Sequence, residues 1–342
     1  MPETRAERPL CRNHHGPTGG QHAAILLFLL LGISSLWFLF ATRPYPSLQP
    51  PTDTGQHPSS ASAATVEPPT TADAEQLIDL LKEKSFWQID ARTEIPPPLV
   101  EHFPEGMDRL SVDQKKRLFL HTLLPAAITA LNEVEGERQL FLTLISRIPN
   151  ELATRGLTCE DREWQGHFTA DEIRFLTGLT IKYRTTNIDK LAMRIDGLPP
   201  SLLLAQGAIE SSWGTSRFAR QGNNIFGLWT WGENGMIPQE RGEGDSHKVA
   251  TYDSILESVR KYLLTINRHP AYQQLRETRF YTMDPYALAQ GLTQYSERGL
   301  GYVEDIRQII DRNNLSFYDR LAATPVKASQ FSKPPTDEIT SI

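Results

Sequence analysis

The sequence predicts an α+β fold, mainly α, preceded by a transmembrane helix. Three observations predict this: an uncharged apolar run near the start, apolar residues at helical spacing through the centre, and one hairpin pattern after Gly214. The 342 residues suffice for one domain with extensions. The net charge of −6 gives no support to nucleic-acid binding, which calls for a basic patch.

The first element is an apolar run without charge, and residues 23–41 are predicted to form a transmembrane anchor. Roughly 19 helical residues at about 1.5 Å each nearly span the ~30 Å hydrocarbon layer. Three arginines precede the run and only Arg43 closely follows it, so the positive-inside rule places residues 1–22 in the cytoplasm. The three are Arg5, Arg8 and Arg12. A cleaved signal peptide is the alternative, but it normally has a shorter apolar stretch and a small-residue cleavage site.

Residues 42–73 are rich in Pro, Ser and Thr, and we expect a semi-extended linker because few large apolar side chains are present to offset its ordering entropy. Residues 323–342 have the same character and are predicted to be a disordered tail. Cys11 and Cys159 would lie on opposite sides of the membrane and could not pair. No metal or other cofactor is expected, since CxxC pairs and an HExxH helix are absent from the sequence.

Between linker and tail, apolar spacing predicts a helical N-terminal region over residues 74–166 and a second domain over residues 167–322. The first helix is expected over Ala74 to Lys82, and a long helical pattern extends to Ile148. The last helix carries apolar residues from Val303 onwards. Three pairs predict helix starts: Ser111 with Gln114, Thr169 with Glu172, and Ser254 with Glu257.

A β-hairpin pattern interrupts the helices. Residues 228–231 (Leu-Trp-Thr-Trp) predict a strand, Asn234-Gly235 a tight turn, and residues 249–252 the returning strand. Helices flanking one small hairpin lobe predict an α+β domain.

The segment from Pro199 to Gly214 predicts an apolar helix with a carboxylate in its last turn, because proline suits the first turn and glycine the C-terminal cap. Gly207 is expected to leave space one turn before Glu210. The helix dipole and the ring of Trp213 would both raise the pKa of the Glu210 carboxyl group, as a general acid near neutral pH requires. The alternative is a solvated glutamate at a helix end.

The next motif is Gly222-Asn223-Asn224-Ile225-Phe226-Gly227, which predicts a tight, hydrogen-bonded turn that lines a groove. Turn chemistry alone is the alternative for the first two of these residues. Aromatic side chains follow at Trp229, Trp231 and Tyr252, where each would either stack on a sugar ring or belong to the core.

The stretch AQGAIESSWGTSRFARQGNNIFGLW resembles the glucosaminidase domain of glycoside hydrolase family 73 and, more closely, the bacterial Bax family of envelope proteins. The Bax likeness extends to the segments 252–254, 267–272 and 295–299. The resemblance implies a lysozyme-like fold with a groove between an α-lobe and the hairpin lobe. It also implies hydrolysis of the bond between N-acetylglucosamine and N-acetylmuramic acid in peptidoglycan. For such a protein the anchor would be single-pass in the inner membrane, with the catalytic domain in the periplasm.

The resemblance gives Glu210 the position of the general acid and Tyr295 that of the active-site tyrosine. Glycosidases usually need a second carboxylate, for which we choose Glu240 on the hairpin; the other candidates there are Glu233, Glu243 and Asp245. If none of these residues acts as the second carboxylate, the N-acetyl group of the substrate would assist the reaction instead. The expected substrate-binding residues are Gln206, Trp213, Asn223, Asn224, Phe226, Trp229, Trp231 and Tyr252.

Two other functions fit the sequence. A lytic transglycosylase also uses a Glu-Ser pair at a helix end, but usually follows it with a Gly-Leu-Met-Gln type of turn. A non-catalytic envelope module would bind glycan strands or a partner protein, with its interface in the helical N-terminal region. The sequence names no protein partner and no oligomeric state.

Overall fold

The structure is a computed structural model that describes residues 73–153, 156–157, 166–233, 235–238 and 246–322. In this part of the chain helices predominate and a single two-stranded sheet is present, which confirms the mainly helical α+β class. Several predicted features lie outside the described residues, namely the anchor at 23–41, the linker before residue 73, the tail at 323–342, Cys11 and Cys159. Of the described helices, none combines the length and apolar character needed to cross a bilayer.

Twelve α-helices and two strands follow one another along the described chain. The helices are α1 (Ala74–Glu83), α2 (Val112–Ile145), α3 (Asn150–Ala153), α4 (Ala170–Tyr183), α5 (Ile188–Arg194), α6 (Pro200–Glu210), α7 (Arg217–Gly222), α8 (Ile255–Arg268), α9 (Gln273–Tyr281), α10 (Pro285–Ala289), α11 (Leu300–Arg312) and α12 (Ser316–Ala322). Short 3₁₀ turns lie at Met107–Arg109, Pro270–Tyr272 and Gln290–Leu292. Strands β1 (Trp229–Thr230) and β2 (Lys248–Val249) pair antiparallel, with Trp229 opposite Val249.

The predicted helix starts are confirmed. The side chains of Ser111 and Thr169 accept the backbone N–H groups of Gln114 and Glu172, respectively. The side chains of Gln114 and Glu172 in turn accept the backbone N–H groups of Ser111 and Thr169. Ser254 accepts the N–H of Glu257 in the same way. Helix α8 ends at Arg268, just before Pro270, as the sequence predicts. Six helices were not predicted, namely α3, α5, α7, α9, α10 and α12.

The long helical pattern is one continuous helix, α2, which runs through Pro125 and ends at Ile145 rather than at Ile148. An internal proline lacks the N–H of the helical ladder and its ring crowds the carbonyl group of the residue four before it. Pro125 is buried within an almost unbroken stretch of buried residues from Leu118 to Leu131. Tertiary packing therefore holds the helix together where local preference opposes it.

Helix α6 lies at the centre of the core. Every residue from Pro200 to Ala208 is buried, as expected for a helix that is apolar on all sides. Helices α2, α11 and α12 pack around it, and α2 also packs against α8. Asp319 on α12 fixes the start of α6 by accepting the backbone N–H and the hydroxyl group of Ser201, both at 2.7 Å. The described residues between Ala74 and Leu157 thus share one hydrophobic core with the helices that follow them.

Candidate active site

Glu210 is the last residue of α6 and is partly buried. Burial raises the pKa of its carboxyl group above the usual range, and an interaction with the Tyr302 side chain lowers it in part. The direction is the one that the sequence predicts. Desolvation is the largest cause of the raised pKa, so the carboxyl group keeps its proton to a higher pH than an ordinary glutamate does.

A strained turn follows Glu210. Ser212, Trp213 and Gly214 adopt positive φ angles of 52°, 57° and 79° in succession. The Ser211 side chain holds this turn, since its oxygen accepts the N–H of Gly214 at 2.8 Å. The helix therefore ends four residues before the glycine that we expected to cap it. Ser212 and Trp213 are not glycines, so their left-handed backbone conformation costs free energy and persists only because the surrounding packing enforces it. The turn therefore fixes the direction of the chain beside the carboxyl group.

Gly207 does not leave open space, contrary to the expectation. A Cβ atom there would lie 2.8 Å from Leu123 Cδ2 and 3.2 Å from Ile225 Cγ2. The missing side chain instead allows α6 to approach α2 and the turn at residues 222–227 closely. Its role is in packing.

Both asparagines of the 222–227 turn bond to the protein backbone. The Asn224 side chain donates to the carbonyl groups of Leu228 and Ala250 at 2.7 and 2.8 Å, and accepts the N–H of Leu228. Asn223, at φ 49°, donates to the carbonyl group of Tyr252 at 3.0 Å. The two amides therefore join the turn to the hairpin. Both residues are buried, and their contact with substrate stays a prediction.

Four tyrosines lie near the carboxyl group of Glu210 and are in ring contact with one another. We call Tyr262, Tyr272, Tyr295 and Tyr302 the tyrosine cluster. The Glu210 charge acts on the pKa of all four. Burial, the largest cause, raises each pKa, to about 12 for Tyr272, so the hydroxyl groups keep their protons near neutral pH. The site combines one carboxylic acid with neutral hydroxyl groups in a desolvated setting.

Tyr295, the tyrosine chosen from the resemblance, belongs to the cluster but does not hydrogen-bond to Glu210. Its hydroxyl group donates to the backbone carbonyl of Phe226 at 2.6 Å. Tyr302 is the tyrosine whose hydroxyl group interacts with the Glu210 carboxyl group so as to lower its pKa. The two rings are stacked, with centroids 5.6 Å apart and planes inclined by 2°. Tyr295 therefore supports both Tyr302 and the turn beside the carboxyl group.

Sequence reasoning missed Tyr262, Tyr272 and Tyr302 as site residues. Each lies on a predicted helix or in a segment of the Bax likeness, and a hydroxyl-bearing ring on a buried face would have been the signal. Their convergence comes from the packing of α6, α8 and α11, which no spacing along the chain reveals.

Two of the expected substrate-binding residues are enclosed by the protein. Gln206 is 0% exposed and lies between Tyr262 and Tyr302. Phe226 is also fully buried and stacks on Tyr262 with a centroid distance of 4.0 Å. Neither side chain reaches solvent in this structure. The sequence analysis placed both among the substrate-binding residues, whereas here they contact the tyrosine cluster.

The aromatic residues of the hairpin are accessible. Trp229 and Trp231 are 58% and 59% exposed, and Trp229 stacks on the His247 ring at 4.4 Å. Tyr252 is partly buried. Trp213 packs edge-on against Phe119, while the Lys116 ammonium group lies 4.9 Å above its ring. Exposed tryptophan faces on a hairpin are suited to stacking on sugar rings, whereas Trp213 also serves the core.

Three of the four candidates for the second catalytic carboxylate lie outside the described residues. Glu240, the residue we chose, lies outside them together with Glu243 and Asp245. Glu233 is described and exposed on the hairpin. Among the described groups that shift the pKa of Glu210, none is a carboxylate. Glu240 therefore stays a prediction.

Comparison with known protein families defines the class of this domain. Residues 187–315 match the glucosaminidase family, described as mannosyl-glycoprotein endo-beta-N-acetylglucosaminidase. The match begins before α5 and ends after α11, so it contains Glu210, the hairpin and the tyrosine cluster. These residues form a glucosaminidase domain, the catalytic domain of a glycoside hydrolase.

Individual relatives refine this class. The chain is 26% identical to Protein bax of Escherichia coli strain K12 over 219 residues, which cover 60% of this chain and 70% of that protein. It is 30% identical to the peptidoglycan hydrolase FlgJ of Salmonella typhimurium over 117 residues, or 30% of this chain and 35% of FlgJ. The catalytic domain of the autolysin Auto from Listeria monocytogenes overlaps 44% of this chain and 89% of that chain, with a TM-score of 0.30 and 19% identity. The chain is thus similar to Protein bax and contains a match to the glucosaminidase family.

Proposed function

We propose that this protein is a peptidoglycan hydrolase, an endo-β-N-acetylglucosaminidase that cleaves the bond between N-acetylglucosamine and N-acetylmuramic acid. The observation that carries the proposal is the partly buried Glu210 within a glucosaminidase domain, with the pKa of its carboxyl group raised by desolvation. The similarity to a FlgJ peptidoglycan hydrolase supports the choice of substrate.

In the proposed reaction the Glu210 carboxyl group donates its proton to the glycosidic oxygen. The bond from the anomeric carbon to that oxygen breaks, and its electron pair stays on the leaving oxygen. Water then adds to the anomeric carbon and loses its proton to a hairpin carboxylate such as Glu240. If the N-acetyl group of the substrate assists instead, its carbonyl oxygen bonds to the anomeric carbon as the glycosidic bond breaks. Water then opens this cyclic intermediate and gives its proton to the Glu210 carboxylate. The tyrosine cluster keeps bulk water from the acid, while exposed Trp229 and Trp231 would hold the glycan strand.

Analysis of the sugar at the new reducing end tests this assignment. Purified sacculi digested by the full chain, then reduced with borohydride, should give N-acetylglucosaminitol ends by mass spectrometry. Anhydromuramic ends would identify a lytic transglycosylase instead. Glycan binding without released fragments would identify a non-catalytic module.

We also propose that the protein is anchored in the inner membrane by residues 23–41, with its C-terminus in the periplasm. The support comes from the sequence, where three arginines precede an uncharged span. This topology would bring the glucosaminidase domain to the compartment that contains peptidoglycan. A reporter that is active only in the periplasm should work when fused after Ile342. Activity of a cytoplasmic reporter at that position would reverse the proposed topology.

A further inference from the structure

Gln206 lies one helical turn before Glu210 and is fully buried. Both ends of its side-chain amide are used. The Tyr262 hydroxyl group donates to Oε1 of Gln206, and Nε2 of Gln206 donates to the Tyr302 hydroxyl oxygen at 3.1 Å. Hydrogen bonds therefore join Tyr262, Gln206 and Tyr302. The Tyr302 hydroxyl group also interacts with the Glu210 carboxyl group, and this interaction lowers the pKa of Glu210.

The chemistry of the amide gives these hydrogen bonds a direction. An amide nitrogen only donates and an amide oxygen only accepts, while a tyrosine hydroxyl group carries one proton. Because Gln206 donates to the Tyr302 oxygen, the single Tyr302 proton remains available for Glu210. The reverse orientation of the amide would place its oxygen against Tyr302 and draw that proton away from the carboxyl group.

The aromatic rings of the two tyrosines are held by other contacts. Tyr262 stacks on Phe226, and Tyr302 stacks on Tyr295, whose hydroxyl group is bonded to the Phe226 carbonyl. The rings are thus held in place, and the remaining motion is the rotation of the Tyr302 hydroxyl group about its C–O bond. Among the described side chains, Gln206 donates a hydrogen bond to the Tyr302 hydroxyl oxygen and so restricts the rotation of that hydroxyl group.

We propose that Gln206 is a positioning residue that orients the Tyr302 hydroxyl proton towards Glu210 and so stabilises the carboxylate left after proton donation. The proposal rests on the proposed glycosidase function and deepens it. Gln206 has no access to substrate, so it acts through Tyr302 alone. Its effect should fall on turnover and on the protonation of Glu210, with little effect on substrate affinity.

The test compares Gln206→Met, Tyr302→Phe and the double variant, each as the full chain in detergent micelles. The pH dependence of kcat/KM on soluble glycan strands reports the acid of the free enzyme. Methionine keeps the length of the side chain but cannot donate. Gln206→Met should move the alkaline limb of the profile to higher pH, because the pKa of Glu210 rises. It should also lower kcat by about tenfold, a small part of the ~10²–10⁴-fold that general acid catalysis contributes. KM should change little.

The double variant tests whether Gln206 acts on Glu210 through Tyr302. If Gln206 acts through Tyr302, adding Gln206→Met to Tyr302→Phe should move the limb no further than Tyr302→Phe alone. Additive shifts, or an unmoved limb in a folded Gln206→Met protein, would overturn the proposal. Tyr281→Phe is the control, because it removes an exposed tyrosine hydroxyl group outside the tyrosine cluster; it should leave the limb in place.

A readout without turnover separates this proposal from the proposed function. Carbon-13 NMR of the side-chain carboxyl groups, with Glu210→Gln to assign the signal, follows the titration of Glu210 directly. The pKa should rise in Gln206→Met and, to a smaller extent, in Tyr262→Phe, which serves if the methionine variant does not fold. An unchanged titration in the folded variants would overturn the positioning role. Failure of the wild-type protein to cleave glycan would count against the proposed function alone.

Discussion

Gly227 lies against Glu210 so closely that a Cβ atom on Gly227 would be 3.3 Å from the carboxyl oxygen Oε2. Gly227 has a φ of 65°, a conformation that side chains disfavour, and it is exposed. The 222–227 turn therefore brings bare backbone to the carboxyl group from the open side. This close approach explains why a glycine ends the turn.

Gly227→Ala should therefore reduce turnover at least tenfold while leaving the protein folded. The added methyl group would crowd Glu210, and the left-handed backbone would cost roughly 1 kcal/mol of unfolding free energy. Activity on sacculi and urea unfolding measure the two effects. Gly301→Ala is a matched control, since a Cβ there has no neighbour within 4 Å. Equal activity of the Gly227 variant and wild type would show that the contact has no catalytic consequence.

Tyr295→Phe should lower both stability and turnover. The Phe226 carbonyl group, which accepts the Tyr295 hydroxyl at 2.6 Å, would lose its partner in a buried turn. An unsatisfied buried acceptor costs ~1–3 kcal/mol, and the loosened turn would hold Glu210 less firmly. Thermal unfolding and turnover per folded molecule separate the effects. A stable variant with wild-type turnover would remove Tyr295 from the site.

The local parts of this fold could be predicted from the sequence. The helix starts at Ser111, Thr169 and Ser254 depend on residues only three positions apart, so the pattern suffices. The passage of α2 through Pro125 could not be predicted, because burial in the finished core overrides the local preference of proline. Likewise α12 is held through Asp319 by Ser201 on a distant helix.

Only the part of the site that is contiguous in sequence could be predicted. Glu210 could be found because its helix and the following motif are contiguous in sequence. The tyrosine that reaches it, Tyr302, comes from a helix 90 positions later, and Tyr295 was the nearer match to the family pattern. Gln206 was expected to contact substrate, but helix packing on all sides encloses it.

Trp231→Ala should weaken substrate binding without affecting the fold. The side chain is 59% exposed, so little packing is lost. Loss of a stacking face should raise KM by roughly threefold to tenfold on soluble glycan strands, with kcat almost unchanged. Phe280→Ala, an equally exposed aromatic residue on α9, should leave KM as in wild type. A wild-type KM for the Trp231 variant would exclude this ring from substrate binding.

His121 should make the protein sensitive to acid. Burial is the largest cause that lowers the pKa of this imidazole, from 6.5 to about 4. The unfolded chain therefore binds a proton more readily between these values, and the folding free energy contributed by neutral His121 is lost as the pH falls through this window. The full loss is on the order of 3 kcal/mol.

Urea unfolding at pH 7 and pH 4.5 measures this dependence. His121→Gln should flatten it, whereas His167→Gln, which removes an exposed histidine, should not. If the His121 variant loses as much stability on acidification as wild type, another group carries the acid sensitivity.

Glu210→Gln should stabilise the protein at neutral pH. Because burial raises the pKa of Glu210 in the folded state, ionisation opposes folding once the pH exceeds the unfolded value of ~4.3. Glutamine removes that opposition, so the gain in melting temperature should be present at pH 7 and should vanish at pH 3.5. Differential scanning calorimetry at both values provides the measurement and also shows that the variant folds.

The rate of sacculus digestion by folded Glu210→Gln protein tests the central claim most directly. Glutamine keeps the shape of the side chain but has no proton to transfer, and general acid catalysis contributes ~10²–10⁴-fold. Release of N-acetylglucosaminitol-terminated fragments should therefore fall by at least about a hundredfold, while Glu277→Gln on α9 releases them at the wild-type rate. Release at the wild-type rate by a folded Glu210→Gln protein would contradict the assignment of Glu210 as the catalytic acid.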